Sequence, residues 1–286
     1  MAVCQTCFRH CRIEEGKSGF CGVRVCRDGQ IIPENYGCIT SLALDPIEKK
    51  PLRHFCPGSL ILSAGSYGCN LRCPFCQNHE ISWSDQAMAY KDAGEPVSPE
   101  ELAATAFYYR NSGNIGLAFT YNEPLISYEY VRDTARLVHE NGMKNVLVTN
   151  GTADLSVLEE IVPYIDAMNI DLKGFSASYY RDVLGGDLSM VLAFIEEAVK
   201  HTHVELTTLI VPGENDTEEE MTEIAEWICG LKDKKGQVIG PSIPLHISRF
   251  FPRFHMTDRK ATDISLIYKL AETAGKYLTH VYTGNC

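Results

Sequence analysis

The chain has 286 residues, enough to bury one large α/β domain or two small ones. A net charge of −11 argues against broad nucleic-acid binding, which needs a basic face, and no uninterrupted apolar run reaches membrane-spanning length. Twelve cysteines are many, and ten of them lie between residues 4 and 76. The opening "MAVCQTCFRH" has no apolar signal core, so the expectation is metal ligation in a reducing cytoplasm, not disulfides.

Residues 1–56 are rich in cysteine, glycine and charge and read as a small metal-stabilised lobe. Residues 57–286 read as the main domain. From residue 59 short apolar runs alternate with amphipathic ones. The strand candidates are 59–66, 115–122, 144–150, 167–173, 203–212, 243–251 and 280–284. Helix candidates fall near 98–110, 126–141, 154–162, 188–200, 217–232 and 261–277. "SPEE" (98–101) predicts a capping box, with Ser98 at the N-cap, Pro99 at N1 and Glu101 at N3. The alternation implies right-handed βαβ units on a parallel sheet: a full or partial (β/α) barrel, or else a doubly wound open sheet.

In a barrel, chemistry gathers on the loops after the strands. The polar clusters fall there: "CNLRCPFCQN", "TYNEP", "TNG", "DLKG", "PGEND" and "RFFPRF".

The first of these loops places Cys69, Cys73 and Cys76 at C-x3-C-x2-C. A structural zinc site closes with four ligands, commonly as two separated pairs. Three thiolates on one short loop suit an iron–sulfur cube better, because each cysteine takes one iron and the fourth iron stays open. A small molecule with an amine and a carboxylate can chelate that iron. If it is S-adenosylmethionine (SAM), one electron passed to its sulfonium yields methionine and a 5′-deoxyadenosyl radical.

"CNLRCPFC", with Phe75 just before the third cysteine, resembles the signature of the radical SAM superfamily. The longer stretch "KKPLRHFCPGSLILSAGSYGCNLRCPFCQNHEIS" is similar to the branch of pyruvate formate-lyase-activating enzymes, and within it to the radical SAM enzyme of the AmmeMemoRadiSam system. The resemblance spans nearly the whole chain. It implies a partial (β/α)6-type TIM barrel, a [4Fe-4S] cluster on Cys69, Cys73 and Cys76, and SAM as cofactor.

It also implies site residues. "FTYNEP" (119–124) stands in place of the Gly-Gly-Glu motif that receives the methionyl amino group, through Glu123 with Asn122 and Thr120; a plain turn ahead of a helix is the alternative. Thr149 and Asp171 lie by the SAM carboxylate and ribose, although Asp171 and Lys173 would also serve as a strand-end ion pair. The acidic residue that the branch has before Thr-Asn-Gly is Val148 here, so its monovalent-cation site lacks that ligand. His246 would contact the adenosyl group or be a satisfied core histidine. Phe75 would stack on adenine or join the core. Arg249 and Arg253 would receive a carboxylate or a partner surface, or form a solvated edge.

Cys4, Cys7, Cys11 and Cys21 number four and suggest a closed second site. Zinc as a structural staple is the favoured expectation, an auxiliary iron–sulfur cluster the other. Cys26, Cys38 and Cys56 are expected to be buried spare thiols. The chain thus reads as a cytoplasmic radical SAM oxidoreductase acting on an unidentified small-molecule, peptide or protein substrate. It would draw on a one-electron reductant such as flavodoxin or ferredoxin, and on companion proteins of a three-component system. Activation of a glycyl radical enzyme is one alternative function, and a non-catalytic metal-binding module another.

Overall fold

The structure, a computed structural model, describes residues 1–92 and 95–286. Two small antiparallel pairs open the chain: β1 (Ala2–Val3) with β2 (Arg12–Ile13), and β3 (Arg24–Arg27) with β4 (Gln30–Pro33). Then β5 (Ser41–Pro46) pairs antiparallel with β6 (Leu60–Gly65). Five strands continue parallel to β6 in chain order: β7 (Asn114–Phe119), β8 (Lys144–Thr149), β9 (Ala167–Asp171), β10 (His203–Ile210) and β11 (Leu245–Arg249). A sixth, β12 (Val281–Gly284), ends the sheet, whose order runs β12 to β5.

Two single-turn helices, α1 (His79–Ser82) and α2 (Asp85–Met88), follow the cysteine loop. The crossovers are α3 (Pro99–Tyr108), α4 (Tyr128–Glu140), α5 (Leu155–Ile161), α6 (Leu188–Ala198), α7 (Glu218–Cys229) and α8 (Ile264–Ala274). Six βα units and a closing strand make a partial (β/α)6 barrel, so the open-sheet alternative falls. The expected capping box is present on α3: Ser98 accepts from Glu101 N, and the Glu101 carboxylate accepts from Ser98 N.

Strand alternation sorts side chains by face. Leu117, Leu147, Met168, Ile170, Leu206 and Ile247 pack outward into the core shared with the helices. Ile61, Ala118, Val146 and Ala167 form a second apolar cluster with Ile47 and Leu52, and Val148 packs against it. Residues 41–56, read with the lobe from sequence, therefore give the barrel an edge strand and part of this cluster. Cys26 and Cys38 are buried as expected, but Cys56 is exposed, on a loop where it takes a left-handed conformation (φ 46°).

A buried carboxylate organises one region of the interior. Glu205 is fully buried and accepts from Arg53 N (2.9 Å), His54 N (2.8 Å), His203 Nε2 (3.0 Å) and His246 Nε2 (2.7 Å). A carboxylate can only accept, so both imidazole nitrogens donate. Burial alone would raise its pKa; these four donors outweigh burial and hold it below the usual carboxylate range.

A depressed carboxylate contributes stability above its unfolded pKa and loses that contribution as pH falls through the folded one. Glu205→Gln keeps one acceptor and strands donors at the other position. It is expected to lower unfolding stability by about 1–3 kcal/mol at neutral pH. The gap from wild type should shrink as pH drops below about 4.3. Urea melts across that range check both the size and the sign.

Candidate functional site

The loop after β6 carries Cys69, Cys73 and Cys76 and is tied down by the neighbouring strand ends. Asn122 accepts from Ser66 N (3.1 Å) and donates to Tyr67 O and Gly68 O (both 3.1 Å). Asn78 Nδ2 donates to Tyr121 O (2.8 Å), Arg72 N to Leu184 O (2.9 Å) and His255 N to Pro74 O (2.8 Å). Asn70 Nδ2 donates to Thr152 Oγ1 (2.8 Å), and Asn150 Nδ2 donates to Asn70 Oδ1 (2.9 Å). Gly68, at φ 86°, leaves no room for a side chain: a Cβ there would stand 2.3 Å from Val23 Cγ2 in the lobe.

The three thiols are half-buried in a polar setting. Burial raises the pKa of Cys69, Cys73 and Cys76, that of Cys73 to about 11. They therefore stay protonated until metal displaces the protons. Leu71 N and Asn150 Nδ2 point at Cys69 Sγ, at 3.4 and 3.7 Å. Among the described residues no three His, Cys, Asp or Glu side chains stand close enough to hold one metal ion, these three thiols included.

Glu123 is buried at the end of β7. Its Oε1 accepts from Leu125 N (3.0 Å) and Thr149 Oγ1 (2.8 Å), its Oε2 from Asn150 N (2.8 Å). Burial pushes its carboxyl up to about 7 against these bonds, and the charge of Asp171 pushes the same way. Asp171 pairs with Lys173 (2.7 Å) at the end of β9. Burial would lower the Lys173 pKa, but the neighbouring Asp171 carboxylate outweighs it and keeps the ammonium charged. Tyr121, between Thr120 and Asn122, takes φ 75°, a conformation natural to the glycines of the motif it replaces. Its hydroxyl donates to Asp45 (2.8 Å), its ring carries the Lys50 ammonium at 4.7 Å, and it covers Gly65.

Glu123, Thr149 and Asn122 are thus brought together around the cysteine loop, with Asp171 and Lys173 in the electrostatic field of Cys73. Two further candidates have protein partners of their own. His246 is held by Glu205, with its ring 5.5 Å from that of Tyr282. Phe75 lies in the main core, edge-on to Phe250 at 6.3 Å. Arg249 bonds Thr262 O (2.7 Å), and Arg253 is exposed. Sequence reasoning missed Asn70 and Asn150, which connect the cysteine loop to the third strand end. It also gave no role to Tyr180, whose hydroxyl accepts from Lys173 N (2.9 Å). Single polar residues in loops carry no periodic signal that would reveal such partners.

The family model of the radical SAM superfamily matches residues 64–228. An uncharacterized protein of Methanocaldococcus jannaschii is 39% identical over 99% of this chain and 80% of its own length. The pyruvate formate-lyase 1-activating enzyme of Escherichia coli is 26% identical over 56% of this chain and 65% of its own length. In fold, the chain resembles Streptococcus suis SuiB bound to S-adenosylmethionine, with a TM-score of 0.59 at 13% identity over 79% of this chain and 52% of that one. No helix among the described residues is long and apolar enough to cross a membrane. The cysteine loop on the first strand of a partial (β/α)6 barrel and these matches lead to one conclusion: the chain belongs to the radical SAM superfamily, whose members work with a [4Fe-4S] cluster and S-adenosylmethionine, and it is similar to the pyruvate formate-lyase activating enzymes.

Proposed function

We propose that this protein cleaves SAM reductively and abstracts hydrogen from a substrate, with Cys69, Cys73 and Cys76 each holding one iron of the cluster. The observation that carries this reading is a single loop of three half-buried thiols at C-x3-C-x2-C, pinned by the surrounding strand ends. Bound there, the cluster would supply the electron that splits SAM into methionine and a 5′-deoxyadenosyl radical able to attack an unreactive C–H bond.

The chain's own residues set the conditions. The Lys173 ammonium offsets negative charge beside Cys73 and Cys76. The N–H groups aimed at Cys69 Sγ favour the more reduced state, as hydrogen bonds to cluster sulfurs do. Glu123 uses three of about four acceptor positions, which leaves one for the methionyl ammonium. Thr149 and Asp171 would stand beside it, since Thr149 bonds the same carboxylate and the Asp171 charge acts on it. The segment after β11 packs on the cysteine loop: Phe254 stacks on His79 at 4.4 Å, and His255 N bonds Pro74 O.

A second reading, activation of a glycyl radical enzyme, is supported by relatives named as activating enzymes at 26% and 27% identity. Incubating the reduced protein with SAM and deuterated candidate substrates separates the readings. Deuterium in 5′-deoxyadenosine from a labelled protein glycine supports activation, and label from a small molecule or peptide excludes it for that substrate.

Two variants test the site. Cys73→Ala, reconstituted anaerobically, is expected to lose the EPR signal that shifts on SAM addition; an unchanged SAM-responsive signal refutes the ligand assignment. Glu123→Gln sets an amide donor against the Asn150 N–H or the Thr149 hydroxyl. It is expected to weaken SAM binding by about 1.5–3 kcal/mol while iron content stays at the wild-type value. SAM affinity within twofold of wild type rules out the ammonium role.

A further inference from the structure

The lobe gathers a second cysteine set. Cys4, Cys7, Cys11 and Cys21 line one small cavity, together with Arg9 and Asn70. Cys4, Cys7 and Cys21 are buried and Cys11 is half-buried. Four sulfurs around one zinc would each lie about 2.3 Å from it, hence roughly 3.8 Å from one another. Among the described residues no three such donors are grouped for one ion, and in this the lobe set matches the Cys69, Cys73 and Cys76 set.

The cavity also adjoins the barrel site. Asn70, which lines it, is the chain neighbour of Cys69 and accepts the bond from Asn150, whose amide also points at Cys69 Sγ. Arg9 donates to Asn70 O (2.8 Å), and its charge faces Cys7, Cys11, Cys21 and Cys69. Arg72 faces Cys69 and Cys21. The two guanidiniums lie over the ring of Phe20, at 3.3 and 4.0 Å from its centroid.

We propose that Cys4, Cys7, Cys11 and Cys21 hold a second iron–sulfur cluster, not a single zinc ion, beside the barrel site. Four thiolates close all four irons, so SAM has no place to chelate there. Arg9 and Arg72 offset the negative charge that two thiolate-ligated clusters bring into one region.

The test uses the full chain, reconstituted anaerobically with iron and sulfide. The Cys69→Ala/Cys73→Ala/Cys76→Ala variant is expected to keep about four irons and four sulfides per chain, with a reducible EPR signal that SAM leaves unchanged. One zinc and no iron in that variant, or no bound metal, overturns the proposal. Should the variant fail to fold, the wild type decides. About eight irons, with EPR lines broadened by coupling between two reduced clusters, supports it. With about four irons, the Cys4→Ala/Cys7→Ala variant separates the cases. Retention of all the iron overturns the proposal. Loss of all of it keeps the proposal and refutes the barrel-cluster reading instead.

Discussion

A carboxylate buried at the mouth of the barrel must find its hydrogen-bond donors within the protein, and much of the site follows from where Glu123 finds them. Its donors come from its own loop and from the Thr149–Asn150 turn, so the ends of β7 and β8 are fastened together. Asn150, fixed in this way, reaches Asn70 and Cys69. Asn122, one residue before Glu123, holds the start of the same cysteine loop. A loop that must present three thiols to separate irons gains its shape from these bonds rather than from helix or strand. A half-satisfied network of this kind would be worse than an apolar one, because low dielectric magnifies each missing bond.

The rest of the interior divides between oil and polar groups. Apolar residues from β6 to β9 pack with Ile47 and Leu52, while β10 and β11 turn Glu205 and His246 inward. The substitution of Val148 for an acidic residue fits this division. Its side chain joins the apolar cluster, where an unpaired carboxylate would be costly.

The seven parallel strands and six long helices were legible because each carries a periodic apolar pattern with turn or cap residues at its ends. Ser98 and Glu101 declared a cap that the structure contains. The antiparallel strand Ser41–Pro46 was not legible: it is short, ends in proline and lies in a segment dominated by cysteine and glycine. At the site, the three cysteines declared themselves through spacing alone. Asn70, Asn150 and Tyr180 did not, because their partners lie on other loops. His246 shows the reverse limit. Its strand position was right, yet its environment depended on Glu205, 41 residues earlier in the chain.

Tyr121 carries a consequence for how this chain can vary. Its left-handed backbone would suit glycine, but its ring occupies the space above Gly65, where an added Cβ would lie 2.7 Å from Tyr121 Cδ2. The bulk missing at one position is present at the other. A side chain at the end of the first strand would thus collide with the ring at the end of the second and crowd the Thr120 carbonyl at 3.1 Å, so the two strand ends fit together only while residue 65 stays bare.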